Sequence, residues 1–383
     1  MKAAQILRLI PTKNLEILAA ESKVNTQVKK LDGITMFRLA LFSMLHSDKA
    51  SLRVMESIFH SMQFRMISGL KNETTKFNSI RDRIATINSN FFEQIFSSVF
   101  DTFSKYFQEE SEILRYDSTM IAISSKLVEW GMKVGSKTNK VQLKYTIGMK
   151  GSFPCQVKIY DQPEALCEDK TIPPAILENA ASKNSIVVFD RGVQKRKAWV
   201  QLTDENISFV TRVKTDIRHK IISKKSLFKT SVKSAIIIKE DSQVQLMEAQ
   251  EKWVNKNFRL VKAIIRESKE PIYFLTNINN ISADEVAALY KRRWDIEVLF
   301  KFLKQHLNLN HVFVRNENGI RVMIYMTLIL SILLIAYKKL NKVSSYKIAK
   351  LKFSNELESA IVKQIVLLCD GNPNKMKHLF NDS

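Results

Sequence analysis

The chain has 383 residues, enough to bury a large core and too many for a single small module. Lys and Arg total 60 against 38 for Asp and Glu, and the formal charge of +22 points to a polyanionic partner, nucleic acid before an anionic membrane surface. Cys155, Cys167 and Cys369 are too few and too scattered for a disulfide framework or a thiolate zinc site, and no histidine stands at ligand spacing from them, so a reducing, cytoplasmic setting is expected.

Residues 1–18 (MKAAQILRLIPTKNLEIL) carry a basic residue and a short apolar stretch but neither a long apolar region nor a small-residue cleavage site, so export is not expected. Residues 1–110 show helical periodicity, as at Met36, Phe37, Leu39, Ala40 and Phe42, which predicts a helical N-terminal domain. Such a domain suits a reader of DNA ends and a plain scaffold equally well. At 113–121 (ILRYDSTMI) the pattern turns to β, with Asp117 in its middle. Strand-like runs at 141–149 and 155–161 follow, separated by a Gly-Ser-Phe-Pro turn, and together the three imply an antiparallel meander.

Pro173-Pro174 opens a short helix. The run 185–192 (SIVVFDRG) is β-branched and unalternated until Asp190, as expected of a central strand buried on both faces. Asp190 ends it, and ligand sites in open α/β sheets lie outside such strand ends, although Asp there is also a common turn former. A helix at 194–203 and a strand at 208–214 complete the segment 111–215.

Residues 216–278 carry β-like runs at 220–222, 235–239, 258–266 and 271–276 between Lys/Ser-rich or acidic stretches, which reads as a β-rich insertion. Its lysines suit a DNA path or a solvated face, and Trp253 suits base stacking or core packing. In 279–310, Ser282-Ala283-Asp284-Glu285 has the capping-box form and no Gly or Pro precedes Asn308, which predicts one unbroken helix. With Tyr290 at zero, about 100° per residue places Arg293 at about −60°, Glu297 at about −20°, Lys301 at about +20° and Lys304 at about −40°. An apolar stripe of Leu289, Ile296, Phe300, Leu303 and Leu307 runs beside this charged one, so Glu297 is expected at the edge of a core. Residues 311–383 return to helix. Within them, 322–337 is apolar apart from Thr327 and Ser331, and its 16 residues fall short of a bilayer span of about 20, so a buried core helix is expected.

Three acids stand out: Asp117 inside the first strand, Asp190 at the end of the fourth and Glu297 on the late helix. Their order and placement suit an α/β fold with a ribonuclease-H-like mixed sheet, in which the three converge as catalytic residues and ligands of Mg²⁺, with Mn²⁺ expected to substitute. Arg293 and Lys304, on the face of Glu297, are expected to neutralise phosphates, and Tyr290 to donate a hydrogen bond to one. Lys301 lies between them, and Arg191 beside Asp190 suits either a phosphate contact or a structural role.

The spacing Tyr290-x2-Arg293-x3-Glu297-x6-Lys304 resembles the Y-R-E-K signature of the IS4-type DDE transposases, Asp117-Ser118-Thr119 their first catalytic block and Asp190-Arg191-Gly192 their second. The resemblance covers about residues 30–340, including a β-rich insertion before the catalytic helix, and no signature position departs from it. It implies cut-and-paste transposition: cleavage at the terminal inverted repeats, a hairpin on the transposon end and strand transfer into target DNA, by a homodimer acting in trans. Another ribonuclease-H-like nuclease would use the same acids without the Tyr/Arg/Lys stripe. A non-catalytic DNA-binding protein would work by its charge alone, and against a membrane-surface protein stand the symmetric flanks of the apolar run, Arg321 and Lys338.

Overall fold

The computed structural model describes residues 1–379 apart from 29, 48–49, 72, 109–112, 124–129, 134–140, 227–234, 249–251, 308, 310–313 and 315. The expected boundaries at 110/111 and 310/311 lie outside the described residues. Seven helices come first: α1 (Ala3–Arg8), α2 (Thr12–Glu21), α3 (Gly33–His46), α4 (Leu52–Phe59), α5 (Met62–Ser68), α6 (Phe77–Thr86) and α7 (Ser89–Tyr106). Several start on side-chain caps, with Asp32, Ser51 and Ser61 each accepting from a backbone N–H of the first turn.

The sheet opens with β1 (Ile113–Ile123), β2 (Met132–Lys133), β3 (Val141–Lys150) and β4 (Phe153–Tyr160). β1, β3 and β4 form the antiparallel meander that the sequence predicts, but its turn is shorter: only Gly151 and Ser152 lie outside the strands, and Gly151 takes φ 56°, a left-handed value open to glycine. Phe153 and Pro154 are already paired with β3. Helix α8 (Ile172–Glu178), with Pro173 and Pro174 in its first turn, leads to β5 (Ile186–Phe189), α9 (Arg196–Asp204) and β6 (Ser208–Val213). β5 lies parallel between β1 and β6, which makes it the buried central strand.

The chain from 216 onward does not form a separate layer. Its strands β7 (His219–Lys224), β8 (Ile236–Met247), β9 (Trp253–Ile265) and β10 (Pro271–Thr276) continue the same sheet, because β10 pairs antiparallel with β6. Among the described residues this gives ten strands in the order β2-β3-β1-β5-β6-β10-β9-β8-β7, with β4 paired on β3. The first five strands of the meander and crossover carry the ribonuclease-H-like arrangement, and the rest extend it.

Both faces are covered. On one, α8 and α9 pack Ile172, Ile176, Trp199 and Leu202 against Tyr116, Phe189 and Phe209. On the other lie α10 (Ala283–Lys291), which packs Val286 and Tyr290 on Val188 and Phe274, and α11 (Trp294–His306), which packs on β1. Behind α11 stand α12 (Glu317–Leu340) and α13 (Tyr346–Leu368), which share a single core with α1–α7 and with Leu143, Tyr145 and Ile147 of β3. Helix α12 is the axis of that layer. Its 24 residues are long and apolar enough to cross a membrane by length and composition, yet every residue from Val322 to Tyr337 is buried among neighbouring helices.

A buried ion pair ties the extension to the start of α10. Arg259 on β9, 2% exposed, makes two bonds to Asp241 on β8 (2.9 and 2.7 Å) and donates to the carbonyl of Ile281 (2.7 Å), next to the Ser282 cap. Removing one partner strands a buried charge. Arg259→Leu is therefore expected to destabilise the fold by about 3–5 kcal/mol and Arg259→Leu/Asp241→Leu by clearly less; equal losses in denaturant melts of the two variants would show that the pair does not act as a unit.

Candidate active site

Sheet register brings the first two acids together. β1 and β5 pair in parallel with Tyr116 opposite Phe189, so the following residues, Asp117 and Asp190, emerge side by side. Tyr116 packs into the core under α8, and alternation turns Asp117 to the opposite face, toward α11. The third acid, Glu297, sits on the first turn of α11.

Arg293 joins them. Its guanidinium bonds Glu297 Oε1 at 2.5 Å, Asp117 Oδ2 at 3.3 Å and approaches Asp190 Oδ1 at 3.8 Å, while Tyr290 donates its hydroxyl to that same Asp190 oxygen at 3.1 Å. The structure thus brings Asp117, Asp190, Glu297, Tyr290 and Arg293 into one cluster. Tyr290 and Arg293 bond the carboxylates themselves, because three close acids attract the nearest donors.

The expected unbroken helix is interrupted. The capping box is present, with Ser282 Oγ accepting from Glu285 N and Glu285 from Ser282 N, but α10 ends at Lys291 and α11 begins at Trp294. Between them the bonds tighten to three-residue steps, Arg292 N to Leu289 O, Arg293 N to Tyr290 O and Ile296 N to Arg293 O. No Gly or Pro causes this break. It falls where Arg293 is drawn to the sheet acids and Arg292 to Asp295, 3.6 Å away.

Burial sets the electrostatics. The Asp117 side chain is 18% exposed, and its carboxyl is pushed up to about 7 by desolvation first, with the Ser118 N–H and Arg293 opposing and the charges of Asp190 and Glu168 adding. Burial also raises the Tyr290 hydroxyl, to about 12, which keeps it a donor to Asp190. Burial works against the charge of Arg293, but Tyr290, Asp190 and Glu297 outweigh it and hold the guanidinium above its ordinary value. The Lys304 ammonium is lowered by burial and partly restored by Asp117, so it stands in that acid's field. Lys301 and Arg191 are exposed, outside the cluster of bonded side chains.

Sequence reasoning missed the residues that hold this cluster in place. Arg115, fully buried on β1, bonds Asp295 of α11 at 2.8 Å and the Gly151 carbonyl at 2.6 Å, so it pins the first turn of α11 to the sheet. Glu168 is held by the buried Lys144 at 2.8 Å and by Thr171, and it packs against Gly192, where a Cβ would meet its Cγ at 2.5 Å. A cation inside the apolar run ILRYD is a signal of a buried pair, but its partner lies 180 residues away.

The donor set fits a hard divalent ion, since it is made of carboxylate oxygens that already gather round a cation. Arg293 Nε is buried without a hydrogen bond, 3.8 Å from Asp190 Oδ1. Among the described residues no three ligating side chains stand in coordinating geometry, so an ion would need Arg293 to release Asp117 and Asp190.

A central strand that ends at Asp190, a parallel neighbour that carries Asp117 within it, and a third acid on the helix packed over them define a ribonuclease-H-like core for phosphodiester chemistry. Residues 108–333 match the family model described as a transposase DDE domain, more than half of the chain, which therefore belongs to that family. Its members cleave and join DNA and use divalent metal ions. The chain is 30% identical over 228 residues to a Synechocystis sp. protein named, provisionally, as the transposase for insertion sequence element IS4SA, covering 59% of this chain and 60% of that one. It is 27% identical over 219 residues to a Geobacillus stearothermophilus protein given, again provisionally, as the transposase for element IS5377, with coverage of 57% and 54%. A provisionally named transposase of Sinorhizobium fredii is 26% identical over 228 residues, 60% of this chain and 61% of that protein. The chain thus spans about 60% of the length of the first of these relatives.

Because Asp117 ionises near 7 in the fold and near an ordinary carboxylate value of about 3.9 when unfolded, its contribution favours the fold at low pH and is lost as pH rises to about 7. In metal-free buffer, Asp117→Asn is expected to raise the melting temperature relative to wild type at pH 8 and to do so much less at pH 5; equal shifts at both would show that Asp117 ionises normally. Gly192→Ala is expected to destabilise by about 1–3 kcal/mol through overpacking against Glu168. Glu168→Ala in the same chain should recover part of that loss, and no recovery in the double variant would locate the clash elsewhere.

Proposed function

We propose that this chain is the transposase of an insertion sequence, of IS4 type, and that it cuts its element's ends and joins them to new DNA. The observation that carries this reading is the convergence on one guanidinium of Asp117 within β1, Asp190 at the end of the parallel β5 and Glu297 on α11, in a chain of the transposase DDE family. Divalent ions, with Mg²⁺ as the physiological one and Mn²⁺ as a substitute, would be held by these three acids and would activate the attacking oxygen and stabilise the departing one. The attacking oxygen, of water or of a DNA 3′-hydroxyl, forms a new bond to phosphorus as the bond to the leaving oxygen breaks in line.

The chain's own residues divide the remaining work. Tyr290 orients Asp190 through its hydroxyl. Arg293 neutralises the acids and, once they are otherwise engaged, is within reach of a phosphate on the same face, which is the role its place in the Y-R-E-K spacing assigns it. Lys304, beside Asp117, and Lys301, one turn away on α11, contact the end's backbone. Terminal inverted repeats and target DNA are the substrates. A homodimer in a paired-end complex is part of the reading. The enzyme works in the cytoplasm, at the nucleoid when bound to DNA. The segments are assigned as 1–110 for end binding, 111–215 and 279–310 for catalysis, 216–278 as the extension and 311–383 as helical support.

The test is nicking of a duplex that carries the inverted repeat flanking this reading frame, with Mg²⁺ present. Asp117→Asn, Asp190→Asn and Glu297→Gln are each expected to abolish nicking while binding that duplex nearly as wild type does; full cleavage by any of the three would overturn the assignment of that acid.

A further inference from the structure

The acids have a second neighbour in the fold. Sheet order runs β1, β5, β6, and the register puts Asp117 within β1, Asp190 just past β5 and the C-terminal part of β6 level across the sheet. Helix α11, with Lys304, packs on the β1 side. On the β6 side a groove of about 1020 Å³ starts at Asp190 and runs past Arg191 and Lys214. It continues into a second groove of about 700 Å³ that shares Arg191 and Lys214 and extends to Lys195, Lys197 and Arg218 around the start of α9.

These five cations differ from the others near the site. Arg115 and Lys144 are buried, Arg293 is half-buried, and all three are paired with acids. Arg191, Lys195, Lys197, Lys214 and Arg218 are all exposed, and among the described residues their side chains enter no ion pair or hydrogen bond. Asp190, Asp216 and Glu270 balance the cations of the first groove, whereas in the second, around the start of α9, the cations outnumber Asp216 and Glu248.

The groove has little with which to read bases. Gln194 Nε2 donates to the Arg191 carbonyl at 3.1 Å, which holds that amide at the groove wall, and Trp199 is buried. Long, unpaired cations without an available amide or exposed ring contact phosphates and are indifferent to sequence. An element's own end must be told apart from other DNA, whereas the DNA that receives it need not be.

We propose that this groove binds the backbone of the target duplex, a second DNA segment taken without regard to sequence and led to the carboxylates from the β6 side. The proposal rests on the transposase reading above. It places end and target on opposite flanks of one set of acids, so the 3′-hydroxyl delivered along α11 meets a phosphodiester delivered along β6.

The test uses the full chain and Lys214→Ala/Arg218→Ala, both exposed positions whose replacement leaves the core untouched. Binding of an arbitrary-sequence duplex, read by anisotropy over a salt series, is expected to weaken about tenfold, with the slope of log affinity against log salt reduced by about two. Joining of precut ends to plasmid should fall by a similar factor, while nicking of uncut ends and binding to the inverted-repeat duplex stay at wild-type levels. An unchanged salt slope with the arbitrary duplex would overturn the proposal, and so would a parallel loss of end binding, which would put the groove on the end's path. If the wild-type chain neither nicks nor joins DNA, the transposase reading fails by itself, and the arbitrary-duplex slope still decides whether the groove binds DNA.

Discussion

Three carboxylates drawn from residues 117, 190 and 297 cannot be brought together in a partly desolvated site unless positive charge is placed among them, because like charges at a few ångströms repel strongly when water is scarce. Arg293 supplies that charge. A lysine could not do it in the same way: its single nitrogen is a point, whereas the planar fork of arginine offers separate nitrogens to Glu297, Asp117 and Asp190 at once. The position of α11, the tight turn that precedes it and the inward pose of Tyr290 all follow from this one contact. Arg115 and Asp295 then fix the same helix from its other side.

The remainder of the fold makes that contact rigid. Asp117 and Asp190 are adjacent because β1 and β5 are parallel and in register, and β5 holds its place because β1 and β6 pair on both of its edges. Behind α11 the buried α12 binds the N-terminal helices into one apolar layer. A backing of this kind leaves α11 little freedom to retreat from the sheet. It also removes water from one side of the acids, the main cause of the raised Asp117 carboxyl.

Much of this was legible in local sequence. The β-branched run ending at Asp190, the acid within ILRYD and the Ser282 capping box each carry their own pattern, and the strands, the meander and the start of α10 lie where those patterns place them. What was not legible needed partners far away in sequence. A helical wheel finds that Tyr290, Arg293 and Glu297 share a face but cannot say that Asp117 and Asp190 wait opposite, so the inward turn of Tyr290 and Arg293 and the break at Arg292 were invisible. The same holds for the strands beyond 216: their β character is local, whereas the pairing of β10 with β6 that merges them into one sheet is not. Lys144 and Glu168 gave no signal, since a lone Lys in a strand and a lone Glu in a turn are ordinary surface residues until packing joins them.

The net charge of +22 conceals two populations of cations. Arg115, Lys144 and Arg259 are buried and Arg293 half-buried, each bonded to an acid, and they spend their charge on holding segments together. Lysines and arginines of the same kind on exposed loops and helix ends keep theirs for the solvent, and so for any polyanion that displaces the counterions around them. Composition counts both alike, so charge excess alone measures the affinity for DNA poorly. Burial separates them: a cation that has lost its water has already been neutralised within the fold, and only those still hydrated have charge left to offer a phosphate.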